Sequence, residues 1–232
     1  MNEKILILIA IVCLALFIML FIKGKYYNKI LIKIGIKKSK PKRNWTALSW
    51  DSCLHKLDIK ADVVFFGDSI TRGSNFHEHF RHIKIVNLGC TEDTLCTMKE
   101  RVSMVSAVNP EKVFVLGGIN SLRDNNIDKS INEYDALLTA LQNEVPYAEI
   151  FVESVLPISR EKEATICKNF TIIEFNSRLK ELAQKRNMEF LDIHKFYIKE
   201  GEINPELTSD GLHLRPEAYV HWEKELDIYL KH

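Results

Sequence analysis

Val63-Val64-Phe65-Phe66-Gly67-Asp68-Ser69-Ile70-Thr71 runs from four consecutive apolar residues through a glycine to a serine. Unbroken Val and Phe, without apolar-polar alternation, is the pattern of a strand covered on both faces, as in the middle of a parallel sheet. Gly67 lets the chain turn, and Ser69 then falls at the carboxyl end of the strand, where open α/β sheets bind their ligands. A serine after a strand also serves as the N-cap of the next helix, so the stretch alone is consistent with either use. Far downstream, Asp210-Gly211-Leu212-His213 stands just before Arg215-Pro216. A histidine can take a proton from a serine hydroxyl near neutral pH, and a carboxylate three residues earlier can hold its tautomer. Ser69, Asp210 and His213 thus make a complete nucleophile set.

Outward from this stretch the pattern alternates. Strands are expected at Val63 to Phe66, Ile83 to Asn87, Lys112 to Leu116, Glu149 to Val155 and Glu189 to Leu191. Helical stretches fall between them at Thr94 to Ala107, Ile127 to Asn143 and Phe170 to Arg186, with a last helix from Pro216 to Leu230. Strand and helix in turn imply a parallel sheet covered on both faces through right-handed crossovers. Ser69, Gly89 and Asn120 each follow one of the first three strands, which brings all three to one rim of that sheet.

From Ala61 to its end the chain resembles the SGNH hydrolase superfamily, the GDSL-type esterases and lipases. Four blocks in the family's order carry the resemblance: Gly67-Asp68-Ser69, Asn87-Leu88-Gly89, Gly117-Gly118-Ile119-Asn120 and Asp210-Gly211-Leu212-His213. Two positions depart from the common pattern, with Glu92 where many members have a second glycine and Ser121 where many have Asp. The resemblance implies an α/β three-layer sandwich, flavodoxin-like, with a central parallel sheet of about five strands. It also implies a triad of Ser69, His213 and Asp210, and an oxyanion hole built from the backbone N–H groups of Ser69 and Gly89 and the side-chain amide of Asn120. Asp68, although next to the nucleophile, is then structural and satisfies backbone groups near the turn. Thr71 stands where the Gly-x-Ser-x-Gly elbow of α/β-hydrolases has its second glycine, which separates the two folds.

No cofactor or metal is expected. His77, His79 and His82 cluster with Glu78, but their spacings of two and three do not supply the two histidines four apart of a zinc-protease helix. Arg123, Arg160 and Lys162 could meet a polar substrate, although solvated charges are the ordinary reading.

The amino-terminal part is a separate appendage. Ile5 to Ile22 carries no charge and is long enough to cross a hydrocarbon core of roughly 30 Å at about 1.5 Å per residue. No small-residue cleavage site follows it, so it is expected to stay as an anchor, residues 1–22. A basic collar, residues 23–43, comes next, with Lys and Arg interleaved with Tyr, Ile and Leu. Behind Pro41 to Asn44 lies the hydrolase domain, residues 44–232, opened by a short amphipathic helix carrying Trp45, Leu48, Leu54 and Leu57.

The formal net charge of +1 conceals a division, because residues 44–232 hold 22 Lys and Arg against 30 Asp and Glu. The basic residues abut an apolar span and the domain is acidic, which fits a collar lying on anionic headgroups and argues against a nucleic-acid partner. Positive charge after the span places the catalytic domain on the cytoplasmic side, with an outward-facing domain as the alternative. Cys13, Cys53, Cys90, Cys96 and Cys167 form an odd set without paired spacing, which argues against a disulfide framework.

The reaction expected from these residues is ester hydrolysis through an acyl-enzyme. Small O-acyl groups, such as acetyl on a carbohydrate, fit a chain without a long apolar insertion to line a lipid channel. The alternatives are O-acyl transfer to a glycan or lipid-linked acceptor, a lysophospholipase-like lipid esterase, and a non-catalytic binding module. Oligomeric state is not encoded in any of these features.

Overall fold

The computed structural model describes residues 59–230. The apolar span, the basic collar and the amphipathic helix expected after Asn44 lie outside the described residues. Among the described residues, no helix is long and apolar enough to cross a membrane.

Five parallel strands, β1 (Val63–Gly67), β2 (Ile85–Gly89), β3 (Lys112–Leu116), β4 (Glu149–Glu153) and β5 (Glu189–Leu191), form one sheet in the order β2-β1-β3-β4-β5. The central position of β1 explains its unbroken apolar run, since a strand flanked on both edges and covered on both faces has no wet side. Successive side chains of β1 enter opposite layers. Val64 and Phe66 join one core with Val113, Val115, Ile150 and Val152, while Val63 and Phe65 join another with Phe114, Leu116 and Phe151. In the second layer Phe65, Phe114 and Phe151 lie in register across three strands, with ring centroids 5.1 and 4.5 Å apart.

The first layer is covered by α3 (Leu95–Lys99), α4 (Ser103–Ser106), α5 (Ile127–Glu144) and α6 (Asn169–Lys185), the second by α2 (Phe76–His79) and α7 (Val220–Leu230). The very short α1 (Ser69–Arg72) leads out of β1. Helix α5 follows from its sequence: the buried Tyr134, Leu137, Leu138 and Leu141 recur at helical spacing, and the Asn126 side chain accepts a hydrogen bond from Lys129 N–H to start the helix.

The expected elements shift in four places. Strand β2 ends at Gly89, two residues beyond the expected boundary, which brings that glycine into register with Gly67. Strand β4 stops at Glu153, because Val155 N–H is taken by the Asn176 side chain of α6 instead of a neighbouring strand. The single helix expected over Thr94 to Ala107 is two short ones, interrupted where Arg101 turns its side chain into the protein. The last helix opens as a 3-10 turn, Pro216–Tyr219. A two-residue hairpin, β6 (Ile198–Lys199) with β7 (Glu202–Ile203), was not legible in the sequence because strands this short carry no periodicity.

Candidate active site

Ser69 is the first residue of α1, immediately after the carboxyl end of β1. Its Oγ lies 2.9 Å from Nε2 of His213, and His213 Nδ1 lies 2.8 Å from Oδ2 of Asp210. Chain separation between Ser69 and His213 is 144 residues, so only the closed fold brings the pair together. Asp210 is held on its own loop, where Oδ1 accepts the N–H groups of Leu212 and His213 at 3.0 and 2.8 Å. Partial burial pushes the Asp210 carboxyl up, but these hydrogen bonds and the His213 ring outweigh it and hold the group down at about 2. The carboxylate is therefore ionised across the physiological range and suited to accept a hydrogen bond from Nδ1–H, an arrangement that turns the Nε2 lone pair toward Ser69 Oγ. The His213 and Asp210 side chains are about two-fifths exposed, at 41% and 43%, which makes the site open and solvent-facing.

Asp68 behaves as expected of a structural residue. It caps α1, with Oδ1 accepting Ile70 N–H at 2.9 Å, and it is fully buried. That burial pushes its carboxyl up to about 7 despite the lowering effect of the Ile70 hydrogen bond. Its other oxygen, Oδ2, has no hydrogen-bond partner among the described residues.

The other rim residues come from β2 and β3. A Cβ at Gly89 would sit 2.2 Å from Arg72 N, so only glycine allows the end of β2 to press against α1. Gly89 N–H donates to Asn87 Oδ1 at 2.8 Å, and the Asn87 amide donates to Thr71 O and Ser74 Oγ, tying β2 to the segment after the serine. After β3, Gly118 adopts a φ of +133° and turns the chain so that Asn120 reaches the same rim. Asn120 Nδ2 donates to the backbone carbonyl of Asp93 at 2.9 Å, which fixes the amide plane while using one of its two hydrogens. Ser69 N–H is the first N–H of α1 and so has no intrahelical acceptor. Ser69, Gly89 and Asn120 are thus placed by the carboxyl ends of three adjacent strands.

The two departures from the family pattern have physical accounts. Glu92 takes a φ of 63°, the left-handed conformation that glycine adopts without a steric cost. Ser121 is buried, and its hydroxyl accepts the N–H of Leu95 at the start of α3.

Sequence reading missed Arg101 and Asp93, both almost wholly buried. The Arg101 Nε lies 2.5 Å from Asp93 Oδ2, and its two terminal nitrogens donate to the carbonyls of Leu88 and Gly67. The sequence carried no signal for Arg101, because Leu95, Met98, Val102 and Val105 already fill the apolar stripe at helical spacing and leave Arg101 beside it. The histidine cluster has other partners, since His79 pairs with Glu223 of α7. Among the described residues, no group of three His, Cys, Asp or Glu is placed to hold a metal. Cys96 and Cys167 are free thiols.

Ser69 and Asp210 thus each lie within hydrogen-bonding distance of His213 on the rim of a five-stranded parallel sheet. Residues 65–220 match the GDSL-like Lipase/Acylhydrolase family, and the chain belongs to this family. A GDSL-like lipase from Bacteroides thetaiotaomicron has the same fold, with a TM-score of 0.67 at 20% identity over 80% of this chain and 96% of that one. An acetyl xylan esterase superposes with a TM-score of 0.57 at 21% identity over 70% of this chain and 96% of that one. The chain is 30% identical over 161 residues to an N-acylneuraminate cytidylyltransferase of Streptococcus agalactiae serotype III, strain NEM316, covering 68% of this chain. It spans only about a third of that relative's length, 36%.

Proposed function

We propose that the protein is a membrane-anchored esterase that removes short O-acyl groups, acetyl foremost, from a carbohydrate alcohol. The observation that carries this reading is the unbroken relay from Ser69 Oγ through His213 to Asp210, with both hydrogen-bond distances under 3 Å. Ser69 Oγ attacks the ester carbonyl while His213 Nε2 takes its proton, and Asp210 stabilises the imidazolium that forms. The oxygen that becomes negative is met by Ser69 N–H and the second amide hydrogen of Asn120. Gly89 N–H joins them by sharing the hydrogen it now gives to Asn87. Donors held in place before the reaction stabilise this charge without reorganising. Collapse of the intermediate expels the alcohol, which takes the proton from His213. Water then attacks the acyl-enzyme and gives a proton to His213, and collapse of this second intermediate breaks the bond to Ser69 Oγ, which takes that proton back as the acid is released.

The open position of His213 and Asp210 supports a bulky polar alcohol on a shallow site over a lipid drawn into a channel. The acetyl xylan esterase among the fold neighbours supports the same choice. The N-acylneuraminate named in the streptococcal relative makes O-acetylated sugar acids natural substrates to include. The anchor is the apolar stretch Ile5 to Ile22, followed by the basic collar on anionic headgroups, with the domain on the cytoplasmic side.

The test is a chain-length series of p-nitrophenyl esters, from acetate to palmitate, with O-acetylated sugars alongside, on the full-length protein in detergent micelles. Acetate is expected to exceed octanoate in kcat/KM by about tenfold or more, the scale on which a pocket discriminates by methylene groups. Preference for the long chains would overturn the short-acyl reading. Turnover that survives in Ser69→Ala would overturn the triad.

A further inference from the structure

Arg101 is a charged side chain only 3% exposed, and none of the chemistry above uses it. Its guanidinium makes three hydrogen bonds to three different segments of the rim. Nε lies 2.5 Å from Asp93 Oδ2, Nη1 donates to Leu88 O at 2.7 Å, and Nη2 donates to Gly67 O at 2.8 Å. The plane is further fixed over the Phe66 ring, with Cζ 4.3 Å from its centroid.

Each contact leads to one oxyanion donor. The Leu88 carbonyl belongs to the same planar peptide unit as Gly89 N–H, so a bond from Arg101 to that oxygen sets the direction of the hydrogen on the opposite side. The Gly67 carbonyl is the last of β1 before the turn into Asp68 and Ser69, and it also accepts Cys90 N–H at 2.9 Å. Asp93 holds Arg101 through its carboxylate and Asn120 through its backbone carbonyl. A planar fork with five fixed N–H donors is suited to this task, whereas an ammonium on a flexible stem is not.

We propose that Arg101 is the positioning residue of the oxyanion hole, keying the Ser69, Gly89 and Asn120 donors to one another through a single buried guanidinium. This rests on the ester-hydrolase reading above. Arg101 does not touch the substrate. It keeps three donors from three strands in one geometry, and it places a positive charge one peptide unit behind the developing anion.

Arg101→Lys in the full-length protein tests this, because lysine keeps the charge that Asp93 needs but cannot hold all three segments. With p-nitrophenyl acetate, kcat is expected to fall by about 10²-fold with little change in KM, the scale of a misplacement of about 1 Å in a reacting site. Asp93→Asn, which keeps the backbone carbonyl that receives Asn120, should show a smaller loss in kcat of the same kind. A double-mutant cycle separates positioning from general weakening. If Arg101 acts through the donors, Arg101→Lys combined with Asn120→Ala should be much less damaging than the product of the two single losses. Folded Arg101→Lys with wild-type kcat, a loss confined to KM, or effects that multiply in the double variant would each overturn the proposal. A wild type without Ser69-dependent turnover would overturn the esterase reading and this proposal with it.

Discussion

Trp222 Nε1 donates a 2.6 Å hydrogen bond to Oε1 of Glu153, both side chains being wholly buried in the layer beneath α7. Glu153 is the last residue of β4 and points to the same side of the sheet as Phe151. Burial pushes its carboxyl from 4.5 up to about 8, although the Trp222 bond lowers it. Between these values the folded protein holds a proton that the unfolded chain has released. Stability therefore falls as pH rises through that window and levels off above about 8.

Glu153→Gln should remove this slope, because the amide oxygen still accepts from Trp222 and nothing remains to ionise. The variant is expected to match the wild type near pH 4 and to exceed it increasingly up to pH 9. The ceiling is on the order of 5 kcal/mol, from about 1.4 kcal/mol for each tenfold change in proton affinity. Denaturant midpoints at a series of pH values check this. A constant difference between the two proteins across the series would show that ionisation of Glu153 is not the cause.

On the proposed mechanism Ser69 and His213 share one proton transfer, so removing either should disable the same step. Ser69→Ala and His213→Ala are each expected to lower kcat by about 10⁴ to 10⁶, and the double variant should be little slower than either alone. Steady-state rates of the three proteins on one ester decide the point. Losses that multiply would mean that the 2.9 Å contact between Ser69 and His213 is not a catalytic unit.

Asn120 offers a sharper discrimination between chemistry and folding. With its amide on the oxyanion, Asn120→Ala should cut kcat by roughly 10² to 10³ and leave KM nearly unchanged. If its work is only the bond to the Asp93 carbonyl, the loss is about 1 kcal/mol of stability with normal turnover. Measuring kcat and thermal midpoint on the same purified protein separates the two.

Membrane orientation can be read from Tyr147, whose side chain is 99% exposed. In a background where the exposed Cys96 is replaced by serine, Tyr147→Cys should resist an impermeant thiol reagent in intact cells and react once the membrane is opened. Labelling in intact cells would place the domain on the outer side and overturn the orientation inferred from the basic collar.

Much of this was legible along the chain because it depends on local pattern. The doubly covered strand at Val63 to Phe66, the helices carrying Leu137 and Phe175, and the alternation of strand and helix all follow from side-chain periodicity, which each segment carries within itself. The choice of Ser69, Gly89, Asn120, Asp210 and His213 came from four short blocks and their order. Their convergence needed only the rule that ligand sites lie at the carboxyl ends of parallel strands. Chain boundaries were less legible where a tertiary bond ended an element, as the Asn176 side chain does when it takes the N–H of Val155.

What tertiary structure alone decided is which polar groups are buried together. Asp93, Arg101 and Glu153 look like ordinary surface charges in the sequence, and Arg101 looks like one more residue of a helix. Their roles arise from being enclosed by segments far away in the chain: β1 and β2 around Arg101, α7 over Glu153, and the Asp210 loop across from Ser69. Burial makes an ionisable group costly unless it finds a partner, and neither the burial nor the partner is a property of its neighbours in sequence. The sequence by itself determined the five strands of the main sheet and marked Ser69 as the candidate nucleophile at the end of the first. The distances that bring Ser69, His213 and Asp210 within hydrogen-bonding reach, and the single guanidinium that joins the ends of β1 and β2 to the Asp93 loop, exist only once the sheet has closed.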